Sequence, residues 1–473
     1  MNYTVEKIGG TSMSAFDAVL DNIILRPSQP YNRVFVVSAY GGMTDVLLEN
    51  KKNNHPGVYQ LIAKRDDTWG EALAQVERQM LLVNENIFAD PMSRMRADKY
   101  IRTRIAEAKN CISNILDTCR YGQFSLRHYL PQIREFLSSI GEVHSAYNTA
   151  LKLKTLGINA KFVDLSGWDC QQPLTLDETI EQAFESIDVT KELPIVTGYA
   201  YTKDGLMKTY DRGYSEMTFS RIASITQADL AIIHKEYHLS SADPRIVGTN
   251  DVLPIGRTNY DVADQLASLG MEAIHPNAAA GLRKSGIQLQ IKNTFEPEHE
   301  GTLISSDYSP ETDKIEIIAG KEKVFALHLF DQAMVGQVDN VSYDLMQIIA
   351  ETRVSLIGKE MNANSITYYL GGSEEVLKRV LYRAEKRYPS ASITGRMVAL
   401  ISVIGSQIDT NRTLTKGILS LVENGVTPIA VHSSMRNVNV QFVVRDGEYQ
   451  TSIQALHQTF CLPKKAKATL VAS

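Results

Sequence analysis

The stretch Lys7-Ile-Gly-Gly-Thr-Ser12 decides how the first two thirds of this chain are read. It closes the run Tyr3 to Ile8, which reads as a buried strand, and places a cation, two glycines and two hydroxyls at that strand's carboxyl end. Glycines let backbone N–H groups approach an anion, the following helix start adds its positive dipole end, and Lys7 supplies a full charge. A Gly-Gly turn between strand and helix is, by itself, more often packing than ligand binding. An ammonium at the end of a buried strand needs an anionic partner, however, and that turns the reading toward a phosphate site.

Outward from this turn, Val37-Ser-Ala-Tyr-Gly-Gly-Met-Thr-Asp45 repeats the device after a second strand, Arg33 to Val37, so two glycine loops can open on one crevice. Between them, Ser14-Ala-Phe-Asp17 reads as a capping box that opens a helix with Val19, Leu20, Ile23 and Ile24 on its apolar face. Further strands are expected at Ala160 to Val163, Ile195 to Thr197, Leu230 to Ile233 and Ile287 to Ile291, with helices such as Tyr214 to Thr226 and Tyr260 to Leu269. Alternation of this kind predicts an α/β fold with a mainly parallel central sheet. The charged segment 50–121 has helical periodicity and no evident chemistry.

Three polar strings remain. Ser139-Ile-Gly-Glu142 reads as a helix entry, with Glu142 either a solvated first-turn charge or an anchor for a substrate ammonium. Arg212-Gly-Tyr-Ser-Glu216 is another helix entry, whose arginine suits either a two-pronged grip on a carboxylate or a surface ion pair. Ala242-Asp-Pro-Arg245 reads as a turn, with Arg245 capping a helix or facing a nucleotide.

In the final third, Ile349-Ala-Glu-Thr-Arg-Val-Ser-Leu-Ile357 recurs imperfectly as Leu421-Val-Glu-Asn-Gly-Val-Thr-Pro-Ile429, 72 residues on. Each half reads strand, helix, strand, strand, helix, which predicts two small ferredoxin-like modules able to extend their sheets edge to edge. With the polar stretch Ser305 to Asp313 as linker, the expected domains are 1–304, 315–395 and 396–473, the last two open to interleaving.

Composition narrows the function classes. A chain of 473 residues calls for two or three domains. With 49 basic and 54 acidic residues, the net charge of -5 gives no footprint for nucleic acid, so small-molecule partners are expected. The four cysteines form no CxxC pair and no zinc spacing, as in reduced thiols. No signal-like leader and no stretch of about 18 apolar residues occurs, so the expectation is a cytoplasmic protein with no membrane partner. The P-loop, GxGxxG, HExxH and GxSxG signatures are absent. A nucleotide-using enzyme here must be of another kind.

Taken together, the strings resemble those of the aspartokinases of the amino-acid kinase family. Lys7 to Ser12 is similar to the family's Lys-Phe-Gly-Gly-Thr-Ser, Ser38 to Thr44 to its Ser-Ala-x-x-Gly-x-Thr loop, and Ser139 to Glu142 to its Gly-Glu element. Gly198-Tyr199 and Arg212 to Ser215 resemble its Gly-Phe and Arg-Gly-Gly-Ser, and Asp243-Pro-Arg245, His275-Pro276, Asn293-Thr294 and Gly301-Thr302 follow in the expected order. The tail resembles the family's paired ACT modules.

The resemblance implies a three-layer amino-acid kinase fold, ATP and Mg2+ as cofactors, and ATP-dependent phosphorylation of L-aspartate to 4-phospho-L-aspartate. It implies that Lys7, Gly9, Gly10, Thr11 and Ser12 hold the ATP phosphates and that Lys7 and Arg212 serve the transfer. Ser38, Thr44, Glu142, Tyr199, Arg212, Ser215 and Glu216 would line the aspartate pocket. Lys235, Ser240, Asp243 and Arg245 would face the nucleotide, with no metal held by the protein itself. It also leaves room for an amino-acid effector at the ACT modules and implies a homodimer or higher homo-oligomer.

There are departures. Glu216 stands where the family has Asp, His234-Lys235 replace a Thr-Asp pair that helps hold the nucleotide, Ser240 replaces Tyr, and Glu272 replaces a phosphate-contacting Lys. Ile8, Ser12-Met13-Ser14 and the run Glu142-Val-His-Ser-Ala-Tyr-Asn-Thr-Ala150 resemble the aspartokinases of ectoine synthesis more than the lysine- or threonine-pathway forms.

Overall fold

A computed structural model of the chain describes residues 3–49, 55–210, 213–269, 274–352 and 354–462. They form two compact units, one of residues 1–239 with 274–306 and one of residues 240–273 with 307–473. The segment 240–273, expected within the first domain, is therefore carried by the second unit. The stretch 306–313 is irregular.

In the first unit, seven strands are β1 (Thr4–Ile8), β2 (Arg33–Val37), β3 (Ala160–Val163), β4 (Leu193–Thr197), β5 (Leu230–Lys235), β6 (Gln288–Asn293) and β7 (Thr302–Ser305). They stand in the order β3-β4-β2-β1-β5-β6-β7. All neighbours are parallel except β6 and β7. Runs such as Val34-Phe-Val-Val37 are buried along their length, as parallel strands covered on both faces require. From β1 the chain winds first to β2 and later to β5, so β1 is the point where the winding reverses and a crevice opens at the carboxyl ends.

The segment of helical periodicity becomes two long helices, α1 (Trp69–Ile87) and α2 (Pro91–Thr118), which pack on α3 (Leu126–Thr155). Leu73, Val76 and Met80 of α1 and Ile101, Ile105 and Ile112 of α2 share one core with Ile133, Leu137 and Ile140 of α3. A buried polar network also ties α3 to α1. His144 Nε2 lies 2.7 Å from Asn84 Oδ1, and Asn148 Nδ2 donates to the same oxygen at 2.8 Å. Burial pushes the His144 imidazole down to about 3, so the ring is neutral.

The capping box expected at Ser14 does not form. Gly9 is extended and the first helical turn, Gly10–Ser14, begins directly after it, leaving Ser14 at the end of the turn instead of its start. Its hydroxyl instead accepts from the Gly41 N–H at 2.8 Å and so joins the two glycine loops. The apolar face of Val19, Leu20, Ile23 and Ile24 is buried as the periodicity requires, with Leu20–Ile24 wound as a π-helical turn.

One face of β1 carries a buried charge cluster. Glu6 accepts from Arg33 Nε at 2.6 Å and Nη2 at 3.0 Å, and His234 Nε2 lies 2.7 Å from its second oxygen. Burial alone would raise this carboxyl, but Arg33 and His234 override it and hold Glu6 well below the usual carboxylate range.

The second unit is built on one antiparallel sheet. Its strands are β8 (Ile317–Phe330), β9 (Ser355–Met361), β10 (Ser365–Gly371), β11 (Ser392–Ile404), β12 (Ala430–Ser433) and β13 (Asn439–Arg445), in the order β9-β10-β8-β11-β13-β12. Helices α5 (Val338–Thr352) and α6 (Glu374–Arg387) serve one half, and α7 (Thr410–Glu423) and α8 (Tyr449–Phe460) the other, with α4 reserved for Tyr214–Ile225 of the first unit. The two long strands run through both halves. Phe330 of β8 pairs with Ser392, while Ile317 pairs with Ile404. Ile318 accordingly belongs to a core with Ala399 to Leu456, and Phe325 to Leu329 to a core with Leu345 to Ala384. Among the described residues no helix is long and apolar enough to cross a membrane.

Removing one partner of a buried pair leaves an uncompensated charge, which costs about 3–5 kcal/mol. Arg33→Met is expected to lower the urea-unfolding midpoint accordingly. Because Glu6 is held below its unfolded value, its share of stability is present above the ordinary carboxylate range and lost as pH falls below it. An Arg33→Met midpoint equal to that of the parent would contradict this role.

Candidate active site

Register places the two glycine loops side by side. Ile8 at the end of β1 pairs with Val37 at the end of β2, so Gly9–Ser12 and Ser38–Thr44 leave the same sheet edge together. Their approach is close: a Cβ on Gly10 would lie 2.8 Å from the Ala39 carbonyl oxygen. Beside them is a cavity of about 360 Å3, whose lining includes Gly10, Ser38, Thr44, Glu142, Tyr214 and Ser215. The Ser38 and Ser215 hydroxyl oxygens are 3.4 Å apart.

Glu142 is not at a helix entry. It sits in the middle of α3, because that helix already begins at Leu126. Gly141 is what lets the helix lie against the second loop, since a Cβ there would come within 2.8 Å of the Ala39 Cβ. Gly198 leaves room for the carboxyl itself, for its Cβ would stand 3.2 Å from Glu142 Oε1. Glu142 is 2% exposed, and its Oε2 has no hydrogen-bond partner among the described residues. The carboxyl is otherwise met by the Tyr214 hydroxyl and by the N–H groups of Tyr199 and Ala39. Burial pushes it up to about 8, against weaker opposing pulls from the Tyr214 hydrogen bond and the Lys7 charge. The group is thus neutral at neutral pH until a cation arrives.

Lys7 is 8% exposed and points to the face of β1 opposite Glu6. Its Nζ lies 3.2 Å from Glu216 Oε1, while Glu216 Oε2 accepts from the His275 N–H. Burial would raise Glu216, but the charges of Lys7 and Lys235 and the His275 N–H hold it low. Glu216, expected to line the substrate pocket, therefore has both oxygens engaged and serves to hold Lys7.

Other expected residues are distributed unevenly. The Tyr199 side chain turns out of the pocket, donating from its hydroxyl to Glu135 Oε2 at 2.8 Å, and only its N–H faces Glu142. The Ser12 hydroxyl is buried and accepts from Thr294 Oγ1 at 3.0 Å, and the Gly9 N–H donates to the His234 carbonyl at 3.3 Å. What the first loop leaves open is the set of first-turn N–H groups from Gly10 onward, which have no partner within the helix, together with the exposed Thr11. His234, which departs from the nucleotide-holding pair of the family, is paired with Glu6.

Ser240, Asp243 and Arg245 belong to the second unit. There Asp243 caps the short helix Pro244–Val247 and pairs with the exposed Arg245 side chain at 2.6 Å. Arg212 and Glu272 lie outside the described residues.

Several lining residues escape the sequence reading, Leu48 and Glu49 among them. Met207 and Tyr214 stand in the pocket wall, and Arg134 lies on α3 with Nη2 2.8 Å from Glu49 Oε1. Arg134 is a little over two turns before Glu142, and reading α3 as continuous from Leu126 would have found it. Tyr214 carried no such signal, since its bond to Glu142 joins two distant helices.

The assembly suits one kind of ligand. A buried carboxyl in a cavity lined by the hydroxyl residues Ser38, Thr44 and Ser215 and by Arg134 fits a small amino acid. Lys7 and the first glycine turn, at the adjoining strand end, fit an anion brought alongside.

The profile of the amino acid kinase family matches residues 2–293. Over 98% of its length the chain is 46% identical to the aspartate kinase Ask_Ect of Stutzerimonas stutzeri, covering 98% of that protein. Among solved structures, Escherichia coli aspartokinase III in complex with aspartate and ADP matches with a TM-score of 0.70 at 18% identity, over 96% of this chain and 99% of that one. Clostridium acetobutylicum aspartate kinase matches with a TM-score of 0.68 at 21% identity, over 97% and 100%. At these identities the two structures speak to the fold.

The raised Glu142 carboxyl has a thermodynamic signature. The folded, ligand-free protein keeps a proton that the unfolded chain gives up, so stability falls as pH rises through the window between the two values, by at most about 1.4 kcal/mol per pH unit. Above about 8 this contribution is gone. Calorimetry of the parent against Glu142→Gln is expected to show that slope in the difference, and parallel curves would refute it.

Proposed function

We propose, given that the chain belongs to the amino acid kinase family and is an aspartate kinase, that the cavity beside Glu142 takes L-aspartate and that Lys7 and the first glycine turn hold the phosphates of ATP. The product is 4-phospho-L-aspartate. The observation that carries this reading is the buried Glu142, whose Oε2 has no hydrogen-bond partner among the described residues, in a cavity also lined by Ser38, Thr44 and Ser215. In the reading, the substrate ammonium ionises Glu142, and Ser38, Thr44, Ser215 and Arg212 take the carboxylates.

The nucleophile is a carboxylate with an unperturbed pKa of about 3.9, already ionised at neutral pH, so no general base is needed. The site has instead to bring two anions into line and neutralise the charge that spreads over the transferred oxygens. Lys7 supplies that charge, and Glu216 keeps its ammonium in place. Among the described residues no three acidic, imidazole or thiol groups converge as a metal cage. Mg2+ is proposed to arrive on the triphosphate, where it would neutralise phosphate charge.

The ectoine pathway is proposed as the destination of the product, supported by the likeness to Ask_Ect. An amino-acid effector at the second unit and a homo-oligomer belong to the same reading, supported by the six-stranded sheet with its half-exposed outer strand Ser355–Met361. Deleting the gene should lower ectoine accumulation at high salt without creating a lysine or threonine requirement. An unchanged ectoine level would remove the pathway assignment.

An ATP-dependent hydroxamate assay, in which hydroxylamine traps the acyl phosphate, is expected to give product with aspartate and not with glutamate. Lys7→Ala should lower kcat by about 100- to 1000-fold with little change in the KM for aspartate. Glu142→Gln should raise that KM by about 10- to 100-fold, the loss of a charged hydrogen bond. In the parent, kcat/KM for aspartate should climb with pH and level off above about 8, because the empty site must first give up the Glu142 proton. The profile should flatten in Glu142→Gln. Unaltered kcat in Lys7→Ala would remove the role assigned to that residue.

A further inference from the structure

A second, larger cavity of about 710 Å3 lies in the kinase unit, between α3 and the chain from Tyr199 to Lys208. Neither the phosphate turn nor the substrate pocket uses it. Its wall is rigid and aromatic: Phe136 stacks on Trp168 with ring centroids 4.3 Å apart, and the Arg104 guanidinium lies 4.4 Å from the Trp168 ring. At its wall Ser166 is 8% exposed, and its hydroxyl has no hydrogen-bond partner among the described residues. A buried polar group left in this state is the mark of a missing ligand or water.

The charge around the cavity favours an anion. Arg127, Lys203 and Lys208 stand exposed around the opening against Asp204 and Glu135. Glu135 is already satisfied. It accepts from the Tyr199 hydroxyl at 2.8 Å, the Met207 N–H at 3.1 Å and the Lys208 N–H at 2.8 Å. Asp204 is thus the one lining carboxylate not already met by three donors.

The same bonds connect the two cavities. Tyr199 presents its hydroxyl to Glu135 in one and its N–H to Glu142 in the other. Met207, bonded through its N–H to Glu135, lines the substrate pocket as well. Whatever presses on Tyr199 and Glu135 from the second cavity acts on the wall that holds Glu142 and Met207. A wall shared in this way is the physical connection that coupling between two sites requires.

We infer that this cavity is a regulatory site for a small organic acid with a planar or apolar body, its carboxylate held at the basic rim and its body against the aromatic wall. The effect on aspartate rests on the function proposed above; the binding itself does not.

The chain has two tryptophans, Trp69 and Trp168, so Trp69→Phe leaves Trp168 as a reporter in the cavity wall. The probe is naphthalene-2-carboxylate, with 2-naphthamide as its neutral counterpart. The acid is expected to quench Trp168 emission saturably, with a dissociation constant below about 1 mM. The amide should bind at least about tenfold more weakly, as should the acid to the Arg127→Glu/Lys203→Glu variant. Both substituted residues lie outside the proposed catalytic and substrate-binding groups, so basal turnover should be retained. Naphthalene-2-carboxylate should shift the KM for aspartate at least about twofold in the parent and not in the double variant. Absent quenching, or quenching equal in the double variant, overturns the site, and binding without a change in KM overturns the coupling. The quenching titration decides binding even if aspartate proves not to be the substrate.

Discussion

Two oppositely charged residues, Glu6 and Lys7, sit next to each other on the innermost strand, and the kinase unit is organised around satisfying both out of water. Alternation along a strand sends neighbouring side chains to opposite faces, so the two cannot neutralise each other. Glu6 is met by Arg33 from the next strand and His234 from the strand on the other side. Lys7 is met by Glu216 from α4. The first arrangement locks three parallel strands together, and the second holds an ammonium at the strand end where the glycine turn begins. Burial makes both pairs obligatory, because an isolated charge there would be far more costly than the pairing.

Glu142 is the counterpoint, a buried carboxyl whose Oε2 has no hydrogen-bond partner among the described residues. It is held neutral by its surroundings and placed so that a cation can change its state. Small residues make the placement possible: Gly141 lets α3 touch the second glycine loop, and Gly198 leaves space where the carboxyl ends. The long helices α1 and α2, which carry no chemistry in the proposed reaction, brace α3 through an apolar seam and the His144–Asn84–Asn148 network. These contacts hold the helix that carries Glu142. The run Glu142 to Ala150 contributes His144 and Asn148 to this network.

Much of this was legible beforehand where the signal is local. The strands Arg33–Val37 and Ala160–Val163 and the helix Tyr214–Ile225 fall where apolar periodicity and turn residues place them. The glycine turns were legible because Gly-Gly after a buried strand has few uses, and the antiparallel second unit because its repeat is visible. The errors have the same physical origin. Ser14 was given a cap because its spacing to Asp17 allowed one, but a helix can begin a turn earlier when an extended glycine permits it. Ser139 to Glu142 reads as a helix entry, whereas the helix already begins at Leu126 and Gly141 packs against Ala39 inside it.

What the sequence determined by itself is the inventory and its order along the chain: which strand ends carry glycines, where a cation is stranded among apolar residues, and which segments repeat. These follow from propensity and periodicity, which act between residues close in the chain. Only the tertiary structure decided the pairings. That Lys7 meets Glu216, that His234 turns to Glu6, and that Tyr199 gives its hydroxyl to one cavity and its N–H to another are outcomes of packing between segments scores to hundreds of residues apart. A polar side chain in a core takes whichever partner the close-packed backbone brings within reach, and no local pattern encodes that distance.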